Sequence, residues 1–162
     1  MKWIRQHIII SSAALVLCIV ALFIWAPWRP STSGDSSQSP AFQALLPHNT
    51  SIEKLGGWQK LTPPDSAPAY VFIDSIDGVG ISVSQQELPA SLKDNNGAKV
   101  AEVAKSYNAT KTIYADSTKV YIGTNADGPQ SVIFTKNNLL VLIKSRAVIQ
   151  DQSWVAYINS LK

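Results

Sequence analysis

The chain has 162 residues, about the length of one domain, and 46% of them are hydrophobic whereas only 15% are charged. Its formal charge of +3 comes from Lys2, Arg5 and Arg29, because residues 31–162 contain 11 basic and 11 acidic side chains. A groove that neutralises phosphates needs an excess of Lys and Arg in the folded part, so we expect no nucleic-acid partner.

The first element is an apolar run over residues 8–26 that contains no Asp, Glu, Lys, Arg or His. A helix of this length, at about 1.5 Å per residue, matches the roughly 30 Å hydrocarbon core of a bilayer. Basic and indole side chains flank the run where the membrane interfaces would fall: Lys2, Trp3, Arg5, Trp25 and Trp28. We therefore predict a cytoplasmic tail at 1–7 and a transmembrane helix at 8–28, with the C-terminal part extracytoplasmic.

Two alternatives to this single-pass signal-anchor are a cleaved secretory signal and a lipidated Cys18. The apolar run is longer than the roughly 7 to 15 residues of a signal peptide, and it ends in the bulky Phe23, Ile24 and Trp25. Leu17 stands where a lipoprotein signal has a small residue. Both features favour an uncleaved anchor in the cell membrane.

A flexible tether follows the predicted anchor, because residues 29–41 are rich in Ser, Pro and Gly and poor in apolar side chains. Residues 42–162 then form the predicted extracytoplasmic domain. They contain no cysteine, so the fold depends on its core and not on disulfides. Its first segment mixes apolar residues with Gly and Pro, which favours a short helical turn and an irregular strap that Trp58 docks onto the core.

Strand signals begin at residue 69. Residues 69–76 and 79–86 are separated by Asp77-Gly78, which predicts a tight hairpin. In the second arm the apolar residues alternate with Ser82, Ser84 and Gln86, so we expect one core face and one wet face.

The rest of the chain alternates between helical and strand periodicity. Residues 98–107 predict an amphipathic helix capped by the preceding Asp and Asn residues, and four strands follow at 110–115, 119–124, 131–136 and 139–145. A last helix begins at a capping Asp151 and carries an apolar stripe of Trp154, Tyr157, Ile158 and Leu161. We predict an α+β fold with a largely antiparallel sheet of about six strands and two packed helices.

No motif of a known reaction occurs in residues 42–162. Their single histidine, His48, has no second imidazole or thiol with which to hold zinc or activate a nucleophile. Asp74 and Asp77 are better explained as strand and turn residues than as a catalytic pair. We therefore predict no catalytic residue, metal or cofactor.

One segment, residues 121–131, combines an aromatic ring with amides and hydroxyls around a Gly-Pro turn. Its side chains Tyr121, Asn125 and Gln130 are candidates for binding a peptide or glycan by stacking and hydrogen bonds. The alternative is an ordinary hairpin loop built on Asp127, Gly128 and Pro129.

The strings GVGISVSQQELP, VYIGTNADGPQSVIFTKNNLLVLIKS and WVAYINSLK, behind an anchor and tether, resemble uncharacterised single-pass exported proteins of small-genome bacteria. The resemblance covers most of residues 46–162 and brings no catalytic motif.

Together these features predict a membrane-anchored, non-enzymatic extracytoplasmic module whose partners are the lipid bilayer and an envelope protein or glycan. The alternatives are a structural subunit of an envelope complex, and a hydrolase that uses Asp or Ser/Lys chemistry without a recognisable motif.

Overall fold

The computed structural model describes residues 39–63, 67–93 and 97–162. The predicted tail at 1–7, the predicted transmembrane helix at 8–28 and the tether up to residue 38 lie outside this set. Among the residues that are described, no helix combines the length and the apolar composition needed to cross a bilayer.

The described residues form one antiparallel sheet and two α-helices. The strands are β1 (Gln59–Leu61), β2 (Ala69–Ile76), β3 (Val79–Glu87), β4 (Ala109–Ala115), β5 (Thr118–Thr124), β6 (Gln130–Lys136) and β7 (Leu139–Ser145). The helices are α1 (Ala98–Lys105) and α2 (Asp151–Ser160), and short 3-10 turns occur at Ile52–Leu55 and Ala90–Leu92. The α+β class predicted from the sequence is confirmed.

The strands lie in the order β1-β2-β3-β7-β6-β5-β4. Two meanders, β1 to β3 and β4 to β7, thus meet at the antiparallel β3–β7 pair, where Gln85 lies opposite Val141. The connection from β3 to β4 contains α1 and carries the chain from the centre of the sheet to its far edge. The predicted hairpin at Asp77-Gly78 is confirmed, with φ of 50° and 80° at its two turn residues.

One face of the sheet, here the α2 face, holds the larger core. Phe72, Val83, Phe134 and other apolar strand residues pack there beneath α2. Trp154 and Ile158 of α2 are fully buried in this core. The predicted apolar stripe of the last helix therefore closes the core as expected.

The opposite face, here the α1 face, carries a second core cluster. Val100 and Ala104 of α1 lie against Tyr121 of β5 and Ile133 of β6, with Leu92 beside them. Strand β7 carries apolar residues on both faces and is an interior strand, paired with β3 and β6; its Leu140 and Leu142 pack against this second cluster.

The strap before β2 is fastened to the sheet by hydrogen bonds and by aromatic packing. The backbone N–H of Leu45 donates to Gln85 Oε1 at 2.8 Å, and Gln85 Nε2 donates to the Leu45 carbonyl at 2.6 Å. Trp58 packs edge-on against Phe72, with the ring centroids 5.5 Å apart, which confirms the predicted docking.

The structure corrects three expectations. The sheet has seven strands and not six, because Gln59–Leu61 of the strap pairs with β2. Ser82, Ser84 and Gln86 are buried, because larger cross-strand neighbours on β2 and β7 flank them; Ser84, for example, lies between Val71 and Leu142.

The third correction concerns the helix caps. The N-cap of α2 is Gln150 without a side-chain hydrogen bond, and Asp151 begins the helix itself. Its carboxylate forms an ion pair with Lys111 of β4. The N-cap of α1 is Gly97, at a φ of 64°, also without a side-chain hydrogen bond.

Candidate binding groove

A groove of about 460 Å³ lies at the end of the sheet where the β4–β5 and β6–β7 turns occur, beside the first turn of α1. Asp116, Asn137 and Asn138 adopt positive φ in these turns, a conformation that Asp and Asn tolerate better than most residues. Both connections are therefore only two residues long. The described residues that line the groove are Gly97, Val100, Ser117, Thr118, Lys119, Tyr121, Thr135, Lys136 and Asn137.

Tyr121 and Lys119 form the cationic side of the groove. Both project from the α1 face of β5, and Lys119 Nζ lies 5.3 Å from the centroid of the Tyr121 ring. The ring is packed under α1 and only 8% exposed, whereas Lys119 is exposed. Tyr121 therefore holds the lysine by a cation–π contact and does not offer an open stacking platform.

Lys136 borders the groove but directs its ammonium elsewhere. Its Nζ donates to the Ile158 carbonyl at 3.0 Å, in the last turn of α2. Burial lowers the pKa of Lys136 most, the nearby Lys162 lowers it further, and Asp116 opposes both effects. Lys136 thus stabilises the C-terminal end of α2, and Lys119 is the lysine that presents its charge to the groove.

The remaining side chains of the groove are neutral hydrogen-bonding groups. Ser117, Thr118 and Thr135 carry hydroxyls, and Asn137 carries an amide. Hydroxyl and amide groups both donate and accept hydrogen bonds, and Lys119 adds one positive charge. This combination suits a polar ligand with carboxylate and hydroxyl groups, such as an acidic peptide or an acidic glycan.

The three residues predicted as a binding set do not lie together. Tyr121 lines the groove on the α1 face, whereas Gln130 pairs with Thr124 and projects into the α2 face. Asn125 is exposed in the β5–β6 loop at the other end of the sheet, where its Oδ1 accepts from Asn108 Nδ2 at 3.4 Å. The structure therefore connects only Tyr121 with the groove.

Gln130 is a structural connector. Its Oε1 accepts two hydrogen bonds, from the backbone N–H of Ile149 at 2.8 Å and from Trp154 Nε1 at 3.0 Å. Its Nε2 donates to Thr124 Oγ1 at 3.3 Å. These bonds join the β5–β6 hairpin to α2 and leave the Gln130 side chain buried.

Asp74 and His48, the ionisable residues considered for catalysis or metal binding, make hydrogen bonds within the fold. Asp74 Oδ2 accepts a hydrogen bond from the Tyr157 hydroxyl at 3.0 Å, and burial together with this carboxylate raises the pKa of Tyr157 strongly. His48 lies on the strap, where its backbone N–H donates to the Ser160 carbonyl at 2.9 Å. Within the described ranges, no three His, Cys, Asp or Glu side chains are grouped so that they could hold a metal ion.

Sequence reasoning missed Ser117, Thr135 and Asn137, which it treated as parts of strand ends and connections. Successive strands of a meander place alternate turns at the same end of a sheet. The β4–β5 and β6–β7 turns, each rich in Asp, Asn and Ser, could therefore have been predicted to lie side by side. The position of α1 above these turns could not have been predicted from the sequence.

Comparison of the chain with protein-family models, with curated proteins and with solved structures gives no significant match.

Proposed function

We propose that the protein is a membrane-anchored, non-enzymatic extracytoplasmic module that binds an envelope protein or glycan in the groove beside α1. The observation that carries this proposal is the groove itself. It combines the exposed Lys119 with hydroxyl and amide groups from two turns, and Tyr121 supports that lysine from below.

The proposed location is supported by the sequence of the first 30 residues. The uncharged run at 8–26, with Lys2 and Arg5 before it and Trp25 and Trp28 at its end, has the pattern of a single-pass anchor with a cytoplasmic N-terminus. The ten residues 31–40 within the tether reach roughly 15 to 20 Å, which would keep the groove close to the envelope components next to the bilayer.

A site-specific photo-cross-linker tests the groove in the full-length chain in its native membrane. We expect a cross-linker at Thr118, on the rim of the groove, to give a discrete adduct with an envelope protein or glycan. Lys119→Glu should reduce this adduct by about tenfold, because it replaces an attractive charge by a repulsive one. Lys105→Glu, which makes the same charge change at the far end of α1, should leave the adduct unchanged. Equal effects of the two substitutions would contradict the proposed site.

Two further measurements test the rest of the proposal. Protease treatment of intact cells should digest the domain at 42–162, and its protection would contradict the extracytoplasmic location. The purified full-length chain should not turn over an envelope substrate. If it does, and if a single Asp or Ser substitution abolishes the turnover and leaves the fold intact, the protein is a hydrolase and not a non-enzymatic module.

A further inference from the structure

We infer that the outer edge of β4 pairs with β4 of a second copy of this chain, so that two seven-stranded sheets form one continuous antiparallel sheet. The two edges of the sheet differ in a way that points to this pairing. β1 has three residues and is flanked by Gly57 and Pro63, which is how native edges are usually protected. β4 has seven residues, contains no proline, and is rich in Thr, Ile and Tyr.

The edge of β4 is open in the described structure. No strand among the described residues pairs with its outer side. Thr110, Lys111, Thr112 and Tyr114 are exposed, and Tyr114 has 64% of its surface in solvent. Only the irregular register between Ala109 and Lys111 interrupts this edge, and it lies at one end of the strand.

The hairpin register determines which backbone groups point outward. Ala115 and Thr118 flank the two-residue turn, so they form a hydrogen-bonded pair, and such pairs alternate along the hairpin. The N–H and C=O groups of Ala115, Ile113 and Lys111 therefore point toward β5. Those of Thr112 and Tyr114 point away from the sheet and are available to another strand.

The outward N–H and C=O groups of one copy can pair with the same groups of a second copy in one antiparallel register, in which Ile113 lies opposite Ile113. In that register Thr112 of each copy lies opposite Tyr114 of the other, and the two pairs exchange about four hydrogen bonds. On the α1 face each pair combines an aromatic with a β-branched side chain, which is a favourable cross-strand combination. On the α2 face Ile113 meets its own copy in the closely spaced, non-hydrogen-bonded position.

The charges favour a second copy as the occupant. In this register Lys111 lies opposite Ala115 and not opposite another charge, and its ammonium is already paired with Asp151 of α2. The 11 basic and 11 acidic residues of 31–162 leave no net charge to repel an identical chain. The proposed anchor would raise the local concentration of copies in one membrane, although the pairing itself does not depend on it.

Disulfide trapping tests this register in the full-length chain. Cys18→Ser removes the only native thiol, and Ile113→Cys is then added. Ile113 and its copy should have Cα atoms about 4.5 Å apart, which a disulfide can bridge. The matched control is Tyr114→Cys on the same edge, whose two copies would lie more than about 7 Å apart, beyond the range of a disulfide. We expect a covalent dimer from the Ile113 variant at about ten times the yield of the control.

Thr112→Pro provides an independent test, because it removes the outward amide hydrogen and leaves the bonds from β4 to β5 in place. We expect sedimentation of the full-length chain in detergent to show a dimer, and Thr112→Pro to weaken that dimer by about tenfold or more. A monomeric parent chain would overturn the proposal. Equal trapping at Ile113 and Tyr114 would also overturn it, as would a dimer of full strength in a folded Thr112→Pro variant. If Thr112→Pro does not fold, the trapping result alone decides.

Discussion

Gln130 shows how one buried amide can connect separate elements. Replacing it by Leu leaves the N–H of Ile149 and the Trp154 Nε1 hydrogen without their acceptor in a buried site. We expect Gln130→Leu to lower the free energy of unfolding by about 2 to 4 kcal/mol, as measured by urea unfolding of the full chain in detergent. Asn125→Leu, at an exposed loop amide, should change it by less than about 0.5 kcal/mol. Equal changes in unfolding free energy for the two variants would mean that the hydrogen bonds of Gln130 do not stabilise the fold.

Gly123 permits a close approach between β5 and the chain that follows α1. A Cβ added there would lie 2.8 Å from the carbonyl carbon of Asn108 and would also strike the carbonyl oxygen of Tyr107. Since both are backbone atoms, we expect Gly123→Ala to destabilise the fold by about 2 kcal/mol or more in the same unfolding measurement.

The matched control is Gly80→Ala, whose Cβ would meet only the Arg146 side chain at 3.7 Å. Gly80 has no positive φ, so this substitution should be close to neutral. A Gly123→Ala variant as stable as Gly80→Ala would contradict the close approach.

Helix α2 combines a strong apolar attachment with weak polar ones. Trp154 is fully buried, so Trp154→Ala should cost about 3 to 5 kcal/mol of unfolding free energy. Asp151→Asn breaks the ion pair with Lys111, but both side chains are about half exposed, so we expect a loss below about 1 kcal/mol. In thermal unfolding, the loss of unfolding free energy should therefore be severalfold larger for Trp154→Ala than for Asp151→Asn. Comparable losses would show that this ion pair stabilises the fold more than exposed ion pairs usually do.

The elements with strong local signals could be predicted from sequence. The β2–β3 hairpin follows from Asp77-Gly78, and the apolar stripe of α2 follows from its helical spacing. β1 could not be predicted, because three residues carry no periodicity and pair only once β2 provides an edge. The alternation at Ser82 and Ser84 was misread as a wet face, because alternation shows which residues share a face and not whether a neighbouring element covers it.

The candidate site was predictable only in part for a related reason. Tyr121 is recognisable as an aromatic residue among polar groups, but its burial under α1 depends on a helix distant in sequence. The groove also needs two turns from non-consecutive hairpins and the first turn of α1. Such convergence is a property of tertiary packing, which a local pattern does not encode.

At the scale of the whole molecule, a half-buried tyrosine, Tyr107, is expected to make the fold sensitive to alkali. Burial raises the pKa of Tyr107 from 10.0 to about 12. Between these values the unfolded chain releases the proton whereas the folded chain keeps it. The stabilising contribution is therefore complete below pH 10 and is lost as the pH rises through 12.

We expect the free energy of unfolding of the full chain to fall by about 2 to 3 kcal/mol from this group across that range. Unfolding measured from pH 9 to 12 should show a shallower decline in Tyr107→Phe than in Tyr114→Phe, which alters an exposed tyrosine. Parallel declines in the two variants would contradict the role of Tyr107.

The meeting of the two meanders at β3 and β7 has a consequence for the integrity of the polypeptide. Each meander is built from neighbours in sequence. The halves are joined by the β3–β7 pair, by α2 across β2 and β4, and by backbone hydrogen bonds from the strap to residues 160–162. A backbone nick between the 3-10 turn at Ala90–Leu92 and α1 would leave each half-sheet internally complete. The two fragments should then reassociate without a covalent link, so this connection is a natural place to divide the domain for a complementation assay.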